Sequence, residues 1–477
     1  MLAAAATAAI VLSGTPAGGG APAATVPPTL GAMRAGAVAT LRTRWYAGAG
    51  RWQRCLPARC GTASRDWGAD ALTEALYVAW LTGRDRSLLP LFRGLSAANP
   101  RYGPCARGCR EWSDVPLWDA VAALREYAAA RDPHALAKAI AAFRSVAHSP
   151  LYARGACPEI DYQRPNGATG LKTLESDANR ILAGALMYGA TRERAYLDDA
   201  RAHYAAVRRR FYDRWVGLYT VYVLDDGQSC AALPHRFFAS VNGRMIEAAD
   251  ALAAETHDLS YAREAAANAS AAERELNDAR GIFTDLQAEN DVVTPLVLAL
   301  YERALRGDAA ARRWLVRNAA AAIQARAPSG AYGRFFDGPP PALVTMWESA
   351  GGLALAIAAG ALSPARVAEG SPWASAARVA VAIGAPPSAY RFAGSGVAFV
   401  GTLGERAGHA RVALDGRPLL DETGIWQGLN YLSPHETVLF AWRWPRGGAH
   451  EVRFLPAEPN VKEGPSFLDL RAALTLP

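Results

Sequence analysis

Apolar residues recur every three or four positions from about Ala35 to about Ala361, which is the period of amphipathic helices. One phrase returns four times: Leu117-WDAVAALREYAAARDPHALAKAIAAF, Arg180-ILAGALMYGATRERAYLDDARAHY, Arg244-MIEAADALAAETHDLSYAREAAANA and Pro295-LVLALYERALRGDAAARRWLVRNAAAAI. Each copy reads as an apolar helix, a short polar turn with a charge or Gly, and a second amphipathic helix. A hairpin repeated at roughly 50–65 residues marks an all-α repeat architecture. A less regular copy, Trp67-GADALTEALYVAWLTGRD then Ser87-LLPLFRGLSAAN, precedes them. Helices expected at Ala35–Tyr46 and Ala342–Ala358 bring the total to about twelve, or six hairpins.

The period falls from 3.6 to 2 after Pro386-Pro387. Val397-AFVGTLG, His409-ARVALDG, Thr437-VLFAWRW, His450-EVRFLP and Phe467-LDLRAAL read as strands separated by Gly/Pro turns. They predict a small antiparallel β-sandwich of the jelly-roll kind. The expected organisation is residues 1–28 as leader and spacer, 29–383 as the helical domain and 384–477 as the sandwich.

Composition narrows the setting. With 477 residues, 51% of them hydrophobic, the chain has material for a large core. The net charge of +7 comes almost wholly from scattered Arg, since Lys occurs only at Lys138, Lys172 and Lys462. No basic and aromatic stripe of the kind nucleic acid requires is present. The opening LAAAATAAIVL is too short to span a bilayer and suits a signal peptide, with Ala21-Pro-Ala23 as candidate cleavage site. A secreted or periplasmic monomer, free of the membrane after cleavage, is the expectation.

Six cysteines fall as Cys55/Cys60, Cys105/Cys109 and Cys157/Cys230, consistent with export. Two local loops and one longer bridge is the pairing expected among fifteen. The alternative, a zinc site from the first four, has spacings unlike the common knuckle. No metal and no cofactor is called for: the chain lacks a Walker loop, a dinucleotide fingerprint and G-x-S-x-G.

Inner helices of a hairpin ring converge at one end, so carboxylates at their starts are the candidates for chemistry. The first cluster is Glu111-Trp-Ser-Asp114-Val-Pro-Leu-Trp118. Asp114 two residues before Pro116 reads either as a helix N-cap or as a glycosidase acid. Trp112 and Trp118 beside it suit the apolar faces of sugar rings. The second cluster, Glu175-Ser-Asp177-Ala-Asn179, also opens a helix, and at most one of Asp177 and Asn179 faces the cup. Glu289-Asn-Asp291 and Trp347-Glu348 stand in similar positions, and Glu159 and Asp161 lie in a loop beside Cys157. Asp225-Asp226-Gly reads as a turn. Glycoside hydrolysis needs two carboxylates flanking the scissile bond.

The helical region resembles glycoside hydrolase family 76, the endo-α-1,6-mannanases of the six-hairpin (α/α)6-barrel group. Leu41-RTRWYAGAGRW with Trp67-GADALTEALYVAWLTGRD is similar to that family's opening, and Arg313-WLVRNAAAAIQARAPSGAYGRFFDGPP to a late passage. Ser240-Val-Asn242-Gly243 stands where the family tends to have Tyr-Asn-Gln-Gly. The resemblance implies hydrolysis of an α-linked mannan-like or other cell-surface oligo- or polysaccharide. It makes Asp114 the proton donor, with Trp112, Trp118, Asn179 and Asn242 as the candidate substrate contacts around it. The family's adjacent Asp-Asp pair reads Ser113-Asp114 here, so the expected nucleophile is missing, and Asp177 becomes the candidate for a relocated carboxylate. That departure keeps open a non-catalytic carbohydrate-binding protein, a polysaccharide lyase and an unsaturated-glycan hydrolase. The C-terminal region resembles galactose-binding-like modules, with Trp426 its best candidate sugar platform; Trp442 and Trp444, two apart, share a face and read as packing.

Overall fold

The computed structural model describes residues 27–64, 66–98, 102–103, 105–106, 108–234, 236–284, 291–368, 370–381, 388–403, 409–420, 425–426, 435–456 and 470–477. Among these are twelve α-helices: α1 (Leu30–Thr40), α2 (Trp67–Gly83), α3 (Leu89–Ala97), α4 (Asp114–Ala130), α5 (Pro133–Ala147), α6 (Leu174–Thr191), α7 (Arg194–Arg210), α8 (Ala239–Thr256), α9 (Leu259–Glu275), α10 (Thr294–Leu305), α11 (Ala309–Gln324) and α12 (Met346–Leu362). The even-numbered helices pack side by side in sequence, and α12 returns to α2 to close a ring. The odd-numbered helices lie outside them. The inner helices are apolar nearly all round, as α12 shows by burying every residue from Met346 to Ala359, whereas outer helices such as α5 bury one stripe.

The last hairpin joins the two ends of the helical region. Helix α1 packs on α12, and the entering chain is held by Leu30 N–H to the Ala365 carbonyl (2.8 Å) and Val367 N–H to the Pro28 carbonyl (3.0 Å). Both terminal helices are offset by about one turn from the sequence expectation. Thr29 caps α1 through its hydroxyl, and a Thr345/Glu348 capping box opens α12.

The two ends of the ring differ because their connections differ. Inner helices hand over to outer ones through one-step turns. Arg84, Arg131, Arg192 and His257 each terminate an inner helix in the left-handed region (φ 52, 55, 62 and 60°). The next residue, Asp85, Asp132, Glu193 or Asp258, starts the following segment, and the three aspartates accept a capping N–H. A left-handed backbone strains any residue with a Cβ. In three turns the arginine recovers part of that cost by lying over the aromatic ring four residues back: Arg84 on Trp80, Arg131 on Tyr127 and Arg192 on Tyr188, at 5.4–5.6 Å. The opposite connections, leading from outer to inner helices, are long and carry all three disulfides, Cys55–Cys60, Cys105–Cys109 and Cys157–Cys230. The pairing is the expected one, and it excludes these cysteines as zinc ligands.

A buried ion network crosses the ring. The Arg244 guanidinium on α8 pairs with Glu74 on α2 and Glu247 (2.9 Å), donates to Asn179 on α6 (2.8 Å) and lies over Trp118 on α4 (4.5 Å). Arg125 on α4 takes the other oxygen of Glu247 at 3.0 Å. Four inner helices are thereby tied through one side chain. Gly243, one residue before Arg244, sits against the start of α10, where a Cβ would come within 2.2 Å of the Leu296 nitrogen.

The C-terminal strands form one antiparallel sheet folded over a core of Val397, Phe399, Val412, Leu439, Val452 and Phe454. Two strands expected from the sequence merge into one, His435–Leu455, which pairs along its length with Ser388–Leu403. The sheet also begins before the expected boundary, since Ala377–Ala380 pairs with Leu470–Leu476. Those four residues are all exposed, so no alternation announces them. Trp442 and Trp444 pack against the sheet core as expected. The sheet rests on loops entering α10 and α12. Asp337 receives Arg443 (2.8 Å) and Arg280 (2.5 Å), its carbonyl takes the Trp373 indole N–H (2.9 Å), and Thr284 donates to the Ala441 carbonyl.

Candidate active site

Asp114 stands in the first turn of α4, at the long-loop end of the ring. It is not the N-cap: Ser113 holds that position and makes no capping bond. The Ser113 hydroxyl instead donates to the Tyr162 carbonyl (2.8 Å) and meets the Ser176 hydroxyl at 2.5 Å, while its N–H reaches the Gln163 carbonyl (3.1 Å). The start of α4 is therefore sewn to the start of α6 and to the loop before it. Trp112, half-buried, lies under the Arg164 guanidinium of that loop at 4.5 Å.

Glu175 precedes Ser176 as Asp114 follows Ser113. Thr173 caps α6, accepting from the Glu175 N–H, and its hydroxyl lies 3.3 Å from the Glu175 carboxylate. Every residue from 171 to 180 is buried except Glu175. Behind it, Leu171–Thr173 pairs with Tyr222–Asp225, with Thr173 opposite Tyr222. The Tyr222 phenol is pushed well above its ordinary range, first by burial and then by the negative charge of Glu175, with Arg236 opposing and Asp114 adding. It is thus a neutral hydroxyl within the field of both carboxylates, bonded to Gln163.

The other expected residues go elsewhere. Asp177 is fully buried on the far side of α6, where it accepts from His203 Nδ1 on α7 (3.2 Å) and from the Asp161 N–H (3.2 Å). Burial, with Asp161 adding, raises its pKa to about 6 against the lowering bond from His203. It braces the loop entering α6 and does not reach the mouth. Asp161 in turn is held by Arg180 at 2.9 Å, and Glu159 by Arg210.

Asn179 belongs to the Arg244 network and Trp118 is buried beneath that guanidinium, so neither is a sugar contact at the mouth. Asn242 is also buried and committed: it donates to the Tyr219 and Phe238 carbonyls and accepts from Tyr219 N–H and Asn268. It fastens the loop entering α8. Asp291 accepts the Ser240 N–H at the start of α8 (2.9 Å), and Glu348 serves the capping box of α12. Glu289 and the side chain of Trp426 lie outside the described residues. Asp226 makes the expected turn, while Asp225 also accepts from Ala156 N–H and sits 3.7 Å from Lys172.

A cavity of about 400 Å³ opens at the other, short-turn end, lined by Tyr77, Arg125, Arg131, Glu247 and Glu302. Burial pushes the Glu302 carboxyl up to about 7. Arg125 and Glu247 of its lining belong to the buried network around Arg244. At the long-loop end, the starts of α4 and α6 bring together two acids, the Trp112 ring and a neutral phenol, the groups that acid–base chemistry uses.

No protein-family model matches the chain, and no curated protein does. Solved structures do. The chain is similar to the GH76A α-1,6-mannanase of Salegentibacter sp. HEL1_6 at 18% identity and TM-score 0.59, over 70% of this chain and 100% of that one. An inactive variant of that enzyme, in complex with α-1,6-mannotetrose, gives 17% and 0.60 over 70% and 99%. A glycoside hydrolase family 76 mannosidase from Bacteroides thetaiotaomicron gives 14% and 0.57 over 70% and 98%. An unsaturated glucuronyl hydrolase specific for heparin shares the fold at 10% and 0.52, over 69% and 96%. The six-hairpin barrel expected from the sequence is the fold of all of these.

Proposed function

We propose that this protein is an exported glycoside hydrolase acting on an α-linked, mannan-like cell-surface polysaccharide, with Asp114 as the acid that protonates the leaving oxygen. The observation that carries the reading is Asp114 in the first turn of an inner helix, at the end of the ring where the long loops gather. The solved structures of this fold include one in complex with α-1,6-mannotetrose, which supports the substrate class. Three disulfides support export. The test is to incubate the protein with cell-surface polysaccharides that include α-1,6-mannan and to read released oligosaccharides by mass spectrometry. Wild type should release products and Asp114→Asn should not, at an unchanged melting temperature. Equal turnover by both would sink the assignment of the acid.

One observation favours a second reading. The Ser113 hydroxyl is consumed by Tyr162 and Ser176, so position 113 supplies neither a carboxylate nor an available nucleophile. A carbohydrate-binding protein on this fold would bind glycan saturably and yield no product after long incubation.

A further inference from the structure

We infer that Glu175 is the second catalytic carboxylate, the base that activates water opposite Asp114; this rests on the hydrolase reading above.

Four observations converge on it. The Ser113–Ser176 contact at 2.5 Å locks the first turn of α4 to that of α6, and the two acids flank that contact, one following Ser113 and the other preceding Ser176. Glu175 is the one residue between 171 and 180 that is not buried, so it is the acid of that stretch that solvent reaches. The Thr173 hydroxyl beside its carboxylate restrains its direction. Tyr222, set by strand pairing opposite Thr173, is buried behind the pair and feels the charge of both acids, so the two carboxylates lie near one another. Asp177, two residues on, points some 200° around the helix at 3.6 residues per turn and is spent on His203.

A base that activates water on the opposite face of the sugar gives a single displacement with inversion at C1, which requires the two carboxyl groups to stand roughly 6.5–9.5 Å apart. In the step, the Asp114 proton goes to the glycosidic oxygen as its bond to C1 breaks. Glu175 takes a proton from water as the water oxygen bonds to C1. Both acids then re-equilibrate with solvent, so water is the only co-reactant.

The test compares wild type, Asp114→Asn, Glu175→Gln and Glu175→Asp on the glycan that the wild type cleaves. Readouts are kcat, KM, melting temperature and the anomer first formed, by NMR. Glu175→Gln is expected to lose about 10²–10⁴-fold in kcat with KM little changed, and to lose the acid limb of the pH profile. Glu175→Asp should keep the limb and part of the rate, and it decides the matter if Glu175→Gln does not fold. The product should form with inversion. Wild-type products together with near-normal kcat in Glu175→Gln would overturn the role of Glu175 and leave the hydrolase reading standing. A retained anomer would overturn the base assignment. No product from wild type on any glycan would overturn both the hydrolase reading and this one.

Discussion

Ser113 and Ser176 meet hydroxyl to hydroxyl at 2.5 Å, both fully buried, with Asp114 and Glu175 attached to them on neighbouring inner helices. The contact makes the position of one acid a function of the other.

Restoring the adjacent acid pair by Ser113→Asp should therefore fail. A carboxylate at 113 would face the Tyr162 and Gln163 carbonyls in a buried site with only the Ser176 hydroxyl and local N–H groups to solvate it. A loss of about 2–4 kcal/mol in stability is expected, with no gain in turnover. Ser113→Ala should cost about 1–2 kcal/mol. Urea denaturation of the three proteins checks the order.

Arg244→Met should destabilise the barrel by about 3–5 kcal/mol, because Glu74 and Glu247 would be left buried without their shared partner. The triple change Arg244→Met, Glu74→Leu, Glu247→Leu should recover part of that loss, although Arg125 would then lose Glu247. Chemical denaturation of the single and triple variants separates the charge from the packing.

The left-handed arginines give a paired comparison. Arg131→Ala keeps the strained backbone and loses the ring contact with Tyr127; Arg131→Gly loses the contact and relieves the strain. The glycine variant should be the more stable of the two by about 1 kcal/mol. Melting temperatures in matched buffer read the difference.

Stability should fall as pH rises from mildly acidic to neutral. Burial pushes the carboxyls of Glu302, Glu273 and Asp278 up to about 7 and that of Asp177 to about 6. Each holds its proton to a higher pH in the fold than in the unfolded chain. The folded state thus binds more protons between about pH 4 and about pH 7, and stability drops through that window. Below it the sign reverses, because Asp199, with Arg180, and Asp225, with backbone N–H groups, are held below the usual carboxylate range. Asp278 accepts from the Arg280 and Ile282 N–H groups and feels Asp337. Asp278→Asn should flatten the decline, as a scan of melting temperature against pH would show.

The hairpins were legible because inner and outer helices differ in how much of their circumference is apolar, and four copies repeat that difference. The disulfides were legible because two of the three bridges join near neighbours. The facing of the second cluster was not. Glu175 and Asp177 are equally plausible by residue type; they part because Asp177 is buried against His203 and the Asp161 N–H, contacts made by distant residues, while Glu175 is only half-buried. Asn179, Asn242 and Trp118 look like sugar-binding residues in sequence, since an amide or indole held by internal partners reads the same as one awaiting a ligand. In the sheet, Pro445-Arg-Gly-Gly reads as a turn, yet the chain continues through it as one bent strand.

Because α1 is the outer partner of α12, the helix made first during synthesis has its neighbour made last among the twelve. Residues 30–40 must wait, unpaired, while five complete hairpins emerge and can settle locally. Closing so long a loop adds only a logarithmic entropic cost, but it makes completion of the ring a late event. A nascent chain released before Leu362 would hold a stacked crescent of hairpins with an open apolar edge at α2, and its exposure to chaperones would end when the final helix arrives.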